Sequence, residues 1–285
     1  MKTNKKLTQE FELKSAQMRK EILEMIIRGR GTHIASAFSI IDILVYLYEK
    51  VLKIDPGDLA DAKRDRFILS KGHGGAALYV VLANHRFFPK EALNLYCSEG
   101  GILGGHPDRF LVPGVEVSTG SLGHGLSIAV GLALANKINK IDSRVYCLVG
   151  DGECNEGAVW EACMTANHHK LDNLVLIVDN NGMMISGFTK DILDPISFSQ
   201  KFKSFGWNTT EINGHDFGEL QSVFNKVPIR NKKPTVVIAN TIKGKGISFM
   251  ENKSQWHGML PNEAEMKIAM EELSCRINSL TEKGK

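Results

Sequence analysis

Two short polar segments, each at the end of an apolar run, carry residue types that bind metals and anions. Gly150-Asp151-Gly152 follows VYCLV, and LVLIVD leads into Asn180-Asn181. At neighbouring strand ends, one carboxylate and one carboxamide would suit Mg²⁺, which fills its remaining positions with phosphate oxygens and water. The glycines beside Asp151 let backbone N–H groups approach an anion, and the following helix adds its positive end. A diphosphate fits this pattern, although an isolated G-D-G is more typical of an ordinary strand–turn–helix.

The elements that must position these residues alternate between short β-rich runs and longer helical stretches. This alternation predicts one α/β domain with a mostly parallel sheet flanked by helices. Nearly continuous apolar runs predict buried strands at 66–70, 145–149, 174–179 and 235–241. Helical spacing places Phe11, Met18, Ile22 and Met25 on one face, and predicts further helices at 36–53, 75–85, 126–140, 158–170, 216–226 and 263–280. The glycine-rich segment 100–125 is too long for a simple connection, so we expect it to line a site.

Composition and charge exclude several classes of protein. The 285 residues are 43% hydrophobic and 24% charged, which is typical of a globular protein. The net charge of +3 is spread along the chain, so no nucleic-acid partner is predicted. The uncharged window 117–136 holds four glycines and several polar residues, which favours a loop leading into a buried helix over a membrane span. The N-terminus lacks the pattern of a signal peptide and the five cysteines form no CxxC pair, so we expect a cytoplasmic protein with reduced thiols.

Several motifs, in this order along the chain, resemble those of transketolase. They are L-S-K-G-H-G at 69–74, G-G-H-P-D at 104–108, S-T-G-S-L-G-H-G at 118–125, G-D-G-E-C-N-E-G at 150–157, and T-I-K-G-K-G at 241–246 followed by W-H-G at 256–258. G-D-G followed by N-N, with an offset of 181 − 151 = 30 positions from Asp151 to Asn181, resembles the thiamine diphosphate fingerprint. The resemblance covers nearly the whole chain. It implies the diphosphate-binding (PP-type) fold, with thiamine diphosphate and Mg²⁺ as cofactors, and Ca²⁺ or Mn²⁺ as possible substitutes for Mg²⁺.

The resemblance also implies a set of site residues. The implied metal ligands are the side chains of Asp151 and Asn181 and the backbone carbonyl of Met183. The implied cofactor contacts are His73, Gly120, Ser121, Leu122, Gly150, Asp151, Gly152, Glu153, Asn181 and His257. The implied catalytic residues are His33, His73, His106 and His257, whose imidazoles suit proton transfer near neutral pH, together with Glu156 at a subunit interface. His85, His168, His169 and His215 are interpreted as surface or capping residues, and Lys243 and Lys245 either attract phosphate or lie in a solvated loop.

The activity implied by the resemblance is transfer of a two-carbon ketol unit from a ketose phosphate to an aldose phosphate, as in the pentose phosphate pathway. Residues 1–285 match one diphosphate-binding domain. The pyrimidine-binding and C-terminal domains are therefore expected on a partner chain, with two copies of each chain in a closed assembly. Two departures from the family pattern bear on the substrate: Ile34-Ala35-Ser36-Ala37 after His33, and the lack of an acidic residue in 182–187. An unusual substrate, such as a sulfonated sugar, stays an alternative.

Other interpretations of the sequence compete with this one. Residues 72–77 formally match the G-x-G-x-x-A of NAD-binding proteins, but the acidic residue that should end a second strand, Glu91, lies in a predicted helical start at 89–96. The α-subunit of a 2-oxo acid dehydrogenase shares G-D-G and N-N but lacks S-K-G-H-G, G-G-H-P-D and W-H-G. An orphan cofactor-binding module, or a fragment of a longer enzyme, would retain the same residues.

Overall fold

A five-stranded parallel sheet with helices on both faces forms the frame of the protein. The computed structural model describes residues 5–283. The strands are β1 (Arg66–Leu69), β2 (Val145–Gly150), β3 (Leu174–Asn180), β4 (Asn208–Asn213) and β5 (Thr235–Asn240). They lie in the order β1-β2-β3-β5-β4, and every neighbouring pair is parallel. The predicted fold class is confirmed.

Ten α-helices connect and cover these strands in the described residues. They are α1 (Lys5–Gly29), α2 (Ile34–Phe38), α3 (Ile41–Tyr46), α4 (Gly75–Asn84), α5 (His124–Ile138), α6 (Gly157–His168), α7 (Thr189–Ile192), α8 (Phe198–Ser204), α9 (Phe217–Phe224) and α10 (Glu263–Lys283). The prediction of one helix over 36–53 is wrong, because the chain turns between α2 and α3. At that turn the Ser39 hydroxyl donates to Asp179 Oδ2 at 2.8 Å, so the end of β3 fixes the break.

The sheet separates two apolar cores. Along β2, Tyr146 and Leu148 face the core shared with α1–α4, α9 and α10, whereas Cys147 and Val149 face the core shared with α5, α6 and α8. Because both faces are covered, the central strands are apolar at almost every position, as predicted. Burying one Leu or Val side chain stabilises the fold by about 1.5–3 kcal/mol. These contacts hold the carboxyl ends of the strands in fixed register.

One strand, β4, escapes prediction because it is polar. Its sequence NTTEIN buries only Ile212, since β4 lies at the edge of the sheet and pairs with β5 alone. The uncharged window 117–136 is a loop followed by α5, as predicted, but α5 is buried on one face only, at Leu126, Ala129, Val130 and Ala133. Each helix between residues 5 and 283 is too short or too polar to cross a lipid bilayer.

Candidate cofactor and metal site

A cavity of about 390 Å³ opens beyond the carboxyl ends of β2 and β3, where parallel sheets usually bind ligands. We call it the histidine cavity. Twelve of the predicted site residues line it: His33, His73, His106, Gly120, Leu122, Gly150, Asp151, Gly152, Glu153, Asn181, Met183 and His257. The glycine-rich segment 100–125 supplies three of them, as expected. The lining is completed by Lys243, which was already a candidate phosphate contact, and by five residues that were not predicted: Ser36, Lys71, Met184, Ile185 and Ser186.

Four histidines from four separate segments meet in this cavity. The ring centroid of His33 lies 5.0 Å from that of His257, 5.5 Å from that of His73 and 5.9 Å from that of His106. Burial and, to a smaller extent, nearby cationic groups lower the pKa of His33 to about 4 and that of His257 to about 3. The same causes hold the pKa of His73 well below its usual range. These three imidazoles are therefore neutral at pH 7 and each keeps a nitrogen that accepts hydrogen bonds.

The backbone of His33 is strained. Its φ of 69° and ψ of 27° lie in the left-handed region, which residues other than glycine rarely adopt. The residue directly precedes α2, whose five residues are all buried, so packing of that short helix holds His33 in place. Strain of this kind is typical of sites where geometry serves function. The departure from the family pattern after His33 thus lies within a buried helix.

Asp151 ties the ends of β2 and β3 together. Its Oδ1 accepts a hydrogen bond from Gly152 N at 2.8 Å, and its Oδ2 accepts one from Gly182 N at 2.7 Å. Asn181 donates from Nδ2 to Asp179 Oδ2 at 3.0 Å, which leaves its Oδ1 facing Met183 N at 3.1 Å. Burial and then the neighbouring Asp179 raise the pKa of Asp151 to about 6. A carboxylate that is this poorly compensated is well placed to ligate a cation.

The donor set limits which cation could bind and how. Between residues 5 and 283, no three His, Cys, Asp or Glu side chains converge as ligands. A metal at Asp151 would therefore rely on the Asn181 amide, a backbone carbonyl and oxygens from outside the protein. This is the ligand chemistry of Mg²⁺ bound to a diphosphate. The residues fit the predicted cofactor pair.

Lys243 adds a buried positive charge to the same cavity. Its side chain is almost fully buried, and Nζ lies 2.9 Å from His257 Nδ1. Burial, followed by repulsion from Lys71, lowers the pKa of Lys243 to about 8. The solvated-loop interpretation is thus wrong for Lys243, while Lys245 is partly exposed and pairs with Glu251 at 3.3 Å. A desolvated ammonium in the histidine cavity suits a bound anion.

A buried ion pair lies beside the metal-ligand candidates. Lys71 Nζ is 2.6 Å from Asp179 Oδ2, and both side chains are fully buried. Burial opposes ionisation of Asp179, but the Lys71 charge and hydrogen bonds from Lys71, Thr241 and Ser39 outweigh it and hold the pKa low. Sequence reasoning missed both residues, although each stands inside a motif, S-K-G-H-G or D-N-N.

One predicted site residue that lines the histidine cavity binds the surrounding backbone, and two others lie outside the cavity. The Glu153 carboxylate accepts hydrogen bonds from Gly123 N at 2.9 Å, from Gly150 N at 3.0 Å and from the Ser70 hydroxyl, so it organises the chain itself. Burial raises its pKa against the effect of these bonds. Ser121 and Glu156 are exposed and do not line the histidine cavity.

Comparison with known proteins decides the family. Residues 14–279 match the family described as Transketolase, thiamine diphosphate binding domain. The chain belongs to the transketolase family. This confirms the resemblance seen in the motifs, and the thiamine diphosphate-binding fold.

Transketolase subunits are among the relatives of similar length. The chain is 41% identical over 270 residues to an apulose-4-phosphate transketolase subunit of Phocaeicola vulgatus, and the match covers 95% of this chain and 96% of the relative. It is also 41% identical over 258 residues to a 6-deoxy-6-sulfo-D-fructose transketolase subunit of a Clostridium species, and this match covers 90% of this chain and 93% of the relative.

Solved transketolases share the fold over nearly the whole chain. The enzyme from Leishmania mexicana superposes with a TM-score of 0.84 at 26% identity, over 96% of this chain. The enzyme from Campylobacter jejuni gives 0.80 at 27% identity, also over 96% of this chain. This chain spans 45% and 48% of those two enzymes, respectively.

The transketolase fold also accounts for the formal dinucleotide motif at 72–77. The segment follows β1 and leads into α4, but between residues 70 and 144 the chain forms no second strand. Glu91, the acidic residue that an NAD site would need, lies in the 3₁₀ turn Lys90–Leu95. The segment therefore lacks the second strand, and the acidic residue at its end, that a dinucleotide site would need.

Proposed function

We propose that this chain is one of the two kinds of subunit in a transketolase that uses thiamine diphosphate and Mg²⁺ to move a two-carbon ketol unit from a ketose phosphate to an aldose phosphate. The observation that carries the proposal is the histidine cavity itself. There, oxygen ligands for a cation, a buried ammonium for an anion and four imidazoles share about 390 Å³. Ca²⁺ or Mn²⁺ would fit the same oxygen donors.

The chain's own residues divide the work of binding. Asp151, Asn181 and the Met183 carbonyl would hold the metal. Lys243 and the Gly152 N–H would face the diphosphate, helped by His73 and His257. A side chain at Gly152 would put its Cβ 3.2 Å from Met184 Cγ, so glycine keeps this approach open. When bound, thiamine diphosphate supplies the electron sink for the transferred unit.

The histidines orient the substrate and move protons. His33 and His106 are assigned to the hydroxyls of the sugar, where a neutral imidazole can accept a proton or hold a hydroxyl group. A well-placed acid or base of this kind accelerates proton transfer by about 10² to 10⁴. Gly120 lies against His106, because a Cβ on Gly120 would be 3.3 Å from His106 Cδ2. Gly120 is assigned to the contact with the aminopyrimidine, where a side chain would obstruct a close approach.

A second chain completes the proposed enzyme. It would carry the pyrimidine-binding and C-terminal domains, and relatives that this chain matches nearly end to end are named as subunits. Glu156, exposed beside Gly123, is assigned to the contact with this partner. Two copies of each chain would give a closed assembly with two sites. We place the enzyme in the cytoplasm, which its five free cysteines support.

The proposed substrates are sugars with an anionic end. One relative is named for apulose 4-phosphate and another for 6-deoxy-6-sulfo-D-fructose, each at 41% identity. A sulfonated ketose is therefore a specific second candidate for the donor. Ketol transfer by the reconstituted two-chain enzyme should be measured with a panel of phosphorylated and sulfonated donors and aldose acceptors. Failure of every pair would refute the proposed reaction, and substantial transfer by this chain alone would refute the partner requirement.

Cofactor binding is tested by Asp151→Ala. Calorimetry with thiamine diphosphate and Mg²⁺ should show binding to the unmodified chain, weak if the chain is alone, and none to the variant, because the metal bridge to the diphosphate is lost. The matched control is Asp142→Ala, since Asp142 is 89% exposed and pairs with Arg230 on the surface. Equal affinity of Asp151→Ala and the unmodified chain would contradict the assignment.

A further inference from the structure

We propose that Asp42 and His215 form a positioning pair that fixes the backbone next to Lys243 and thereby sets the affinity of the site for the diphosphate. The inference rests on the proposed function, because it takes Lys243 as a diphosphate contact. Neither Asp42 nor His215 lines the histidine cavity. Both line a separate cavity of about 430 Å³, together with Arg19 and Lys245.

The hydrogen bonds of His215 determine where its proton lies. Its Nε2 is 2.9 Å from Ile242 N, and its Nδ1 is 2.6 Å from Asp42 Oδ2. A backbone N–H can only donate, so Nε2 must be the acceptor. Nδ1 then carries the proton and donates a hydrogen bond to Asp42 Oδ2. The neutral ring thus links a buried carboxylate to the amide directly before Lys243.

Asp42 is itself held rigidly from α1. Arg19 donates from Nη1 to Asp42 Oδ1 at 2.9 Å and from Nη2 to Asp42 Oδ2 at 2.6 Å, and both residues are buried. Burial opposes ionisation of Asp42, but the Arg19 guanidinium and the hydrogen bonds from His215 and Arg19 keep its pKa well below the usual range. The carboxylate is therefore a fixed, charged acceptor for the His215 ring.

The segment that carries Lys243 is held on both sides of that residue. Before it, the Thr241 hydroxyl donates to Asp179, and Ile242 N donates to His215. After it, Gly244 N donates to Ala35 O at 3.0 Å. The loop of His215 approaches so closely that a Cβ on Gly214 would lie 2.6 Å from Thr241 Cγ2. The His215 bond thus acts on the peptide unit that sets the direction of the Lys243 side chain.

Two substitutions separate the two hydrogen bonds of His215. In His215→Gln, the amide oxygen reaches the position of Nε2 and still accepts from Ile242 N–H, but the bond to Asp42 is lost. In His215→Asn, the shorter amide reaches the position of Nδ1 and still binds Asp42, but Ile242 N–H loses its acceptor. A role in packing alone predicts similar effects of both changes. The positioning role predicts that only His215→Asn is strongly impaired.

Two measurements on the full chain test this difference. Hydrogen–deuterium exchange of the cofactor-free chain reports the Ile242 amide directly. Calorimetry with pyrophosphate, and with thiamine diphosphate, in the presence of Mg²⁺ reports the affinity of the site. The exposed His168, changed to Asn, is the matched control. Melting temperatures of all variants separate a local effect from general destabilisation.

For His215→Asn we expect the exchange rate of the Ile242 amide and the Kd values of both probes to rise about tenfold, as for loss of one buried hydrogen bond. For His215→Gln we expect both quantities to rise less than about threefold. Should His215→Asn not fold, Asp42→Asn is expected to show the same two effects at smaller size. Unchanged exchange and affinity, or equal loss in both His215 variants, would overturn the inference. If the unmodified chain binds neither probe, the proposed function fails, and so does the part of the inference that concerns affinity. The exchange data would still decide whether His215 holds the Ile242 amide.

Discussion

Replacing Lys243 with methionine should stabilise the cofactor-free chain and at the same time weaken cofactor binding. The reason is that Lys243 holds a positive charge in a buried position, next to His257, where attraction by Asp151 and Asp179 is too weak to offset burial and repulsion from Lys71. Burial and the Lys71 charge lower its pKa from 10.5 to about 8. The folded chain therefore carries an unfavourable charge that a bound diphosphate would neutralise.

The size of the effect follows from this pKa. A lowering of 10.5 − 8 = 2.5 corresponds to about 3 kcal/mol at roughly 1.4 kcal/mol per unit. Methionine has a similar length but loses the hydrogen bond to His257, which contributes about 1 kcal/mol. The free energy of unfolding of the variant should thus exceed that of the unmodified chain by about 2 kcal/mol at pH 7. This corresponds to about 3 °C in melting temperature for a chain of this size. Because the unfolded chain binds more protons between pH 8 and 10.5, stability of the unmodified chain should rise with pH over that range, and the difference should shrink.

The assay is calorimetric unfolding of both chains at about pH 7, below the range over which stability should change, and at about pH 10, near the upper end of that range, followed by titration with thiamine diphosphate and Mg²⁺. Lys253→Met is the control, because Lys253 is exposed in the same region of the chain and should change neither quantity. We expect cofactor affinity of Lys243→Met to fall at least about tenfold, as for the loss of a hydrogen bond to a charged group. A variant that melts at or below the temperature of the unmodified chain would refute this account of the site.

Three further predictions concern the backbone and the core. His33→Gly should relieve the left-handed strain and leave stability equal or up to about 1 kcal/mol higher, while turnover of the reconstituted enzyme falls about 100-fold; normal turnover would remove His33 from the mechanism. Leu148→Ala, in the centre of the sheet, should lower the free energy of unfolding by about 3 kcal/mol in urea titrations, and a loss below about 1 kcal/mol would contradict the packing described. Gly125→Ala would put a Cβ 2.3 Å from Ser70 Oγ; we expect a loss of about 2 kcal/mol by the same assay, and an unchanged midpoint would argue against this contact.

The sequence predicts the buried strands well because a strand buried on both faces needs apolar residues at successive positions. Strands β1, β2, β3 and β5 are covered on both faces, so their apolar runs are continuous and their predicted ends are wrong by one residue at most. The edge strand β4 has no such apolar run, since its polar residues face solvent. The break between α2 and α3 also escapes prediction, because its cause is Asp179, 140 residues further along the chain.

The site shows the same division. Motifs identify residues that line the histidine cavity, such as Asp151 and His257, because a binding site requires particular residue types with particular neighbours. Burial of a single polar residue depends instead on contacts made by distant segments. Lys243 and His215 therefore look like ordinary loop residues in the sequence, and only the fold shows that each is enclosed and directed.

The pairing of β1 with β2 has a consequence for the time course of synthesis. Arg66 pairs with Val145, so 145 − 66 = 79 residues separate the partners. At about 5–20 residues per second, β1 waits roughly 4–16 s on the ribosome before its neighbour exists. Helices α1–α3 and the loop before β1 are made before β1, and α1–α4 contact one another. These helices can therefore cover one face of β1 during that interval. The other face, which carries Ile68, stays uncovered until β2 and α5 are made, and transiently exposed apolar surface of this kind makes an incompletely folded chain prone to aggregation.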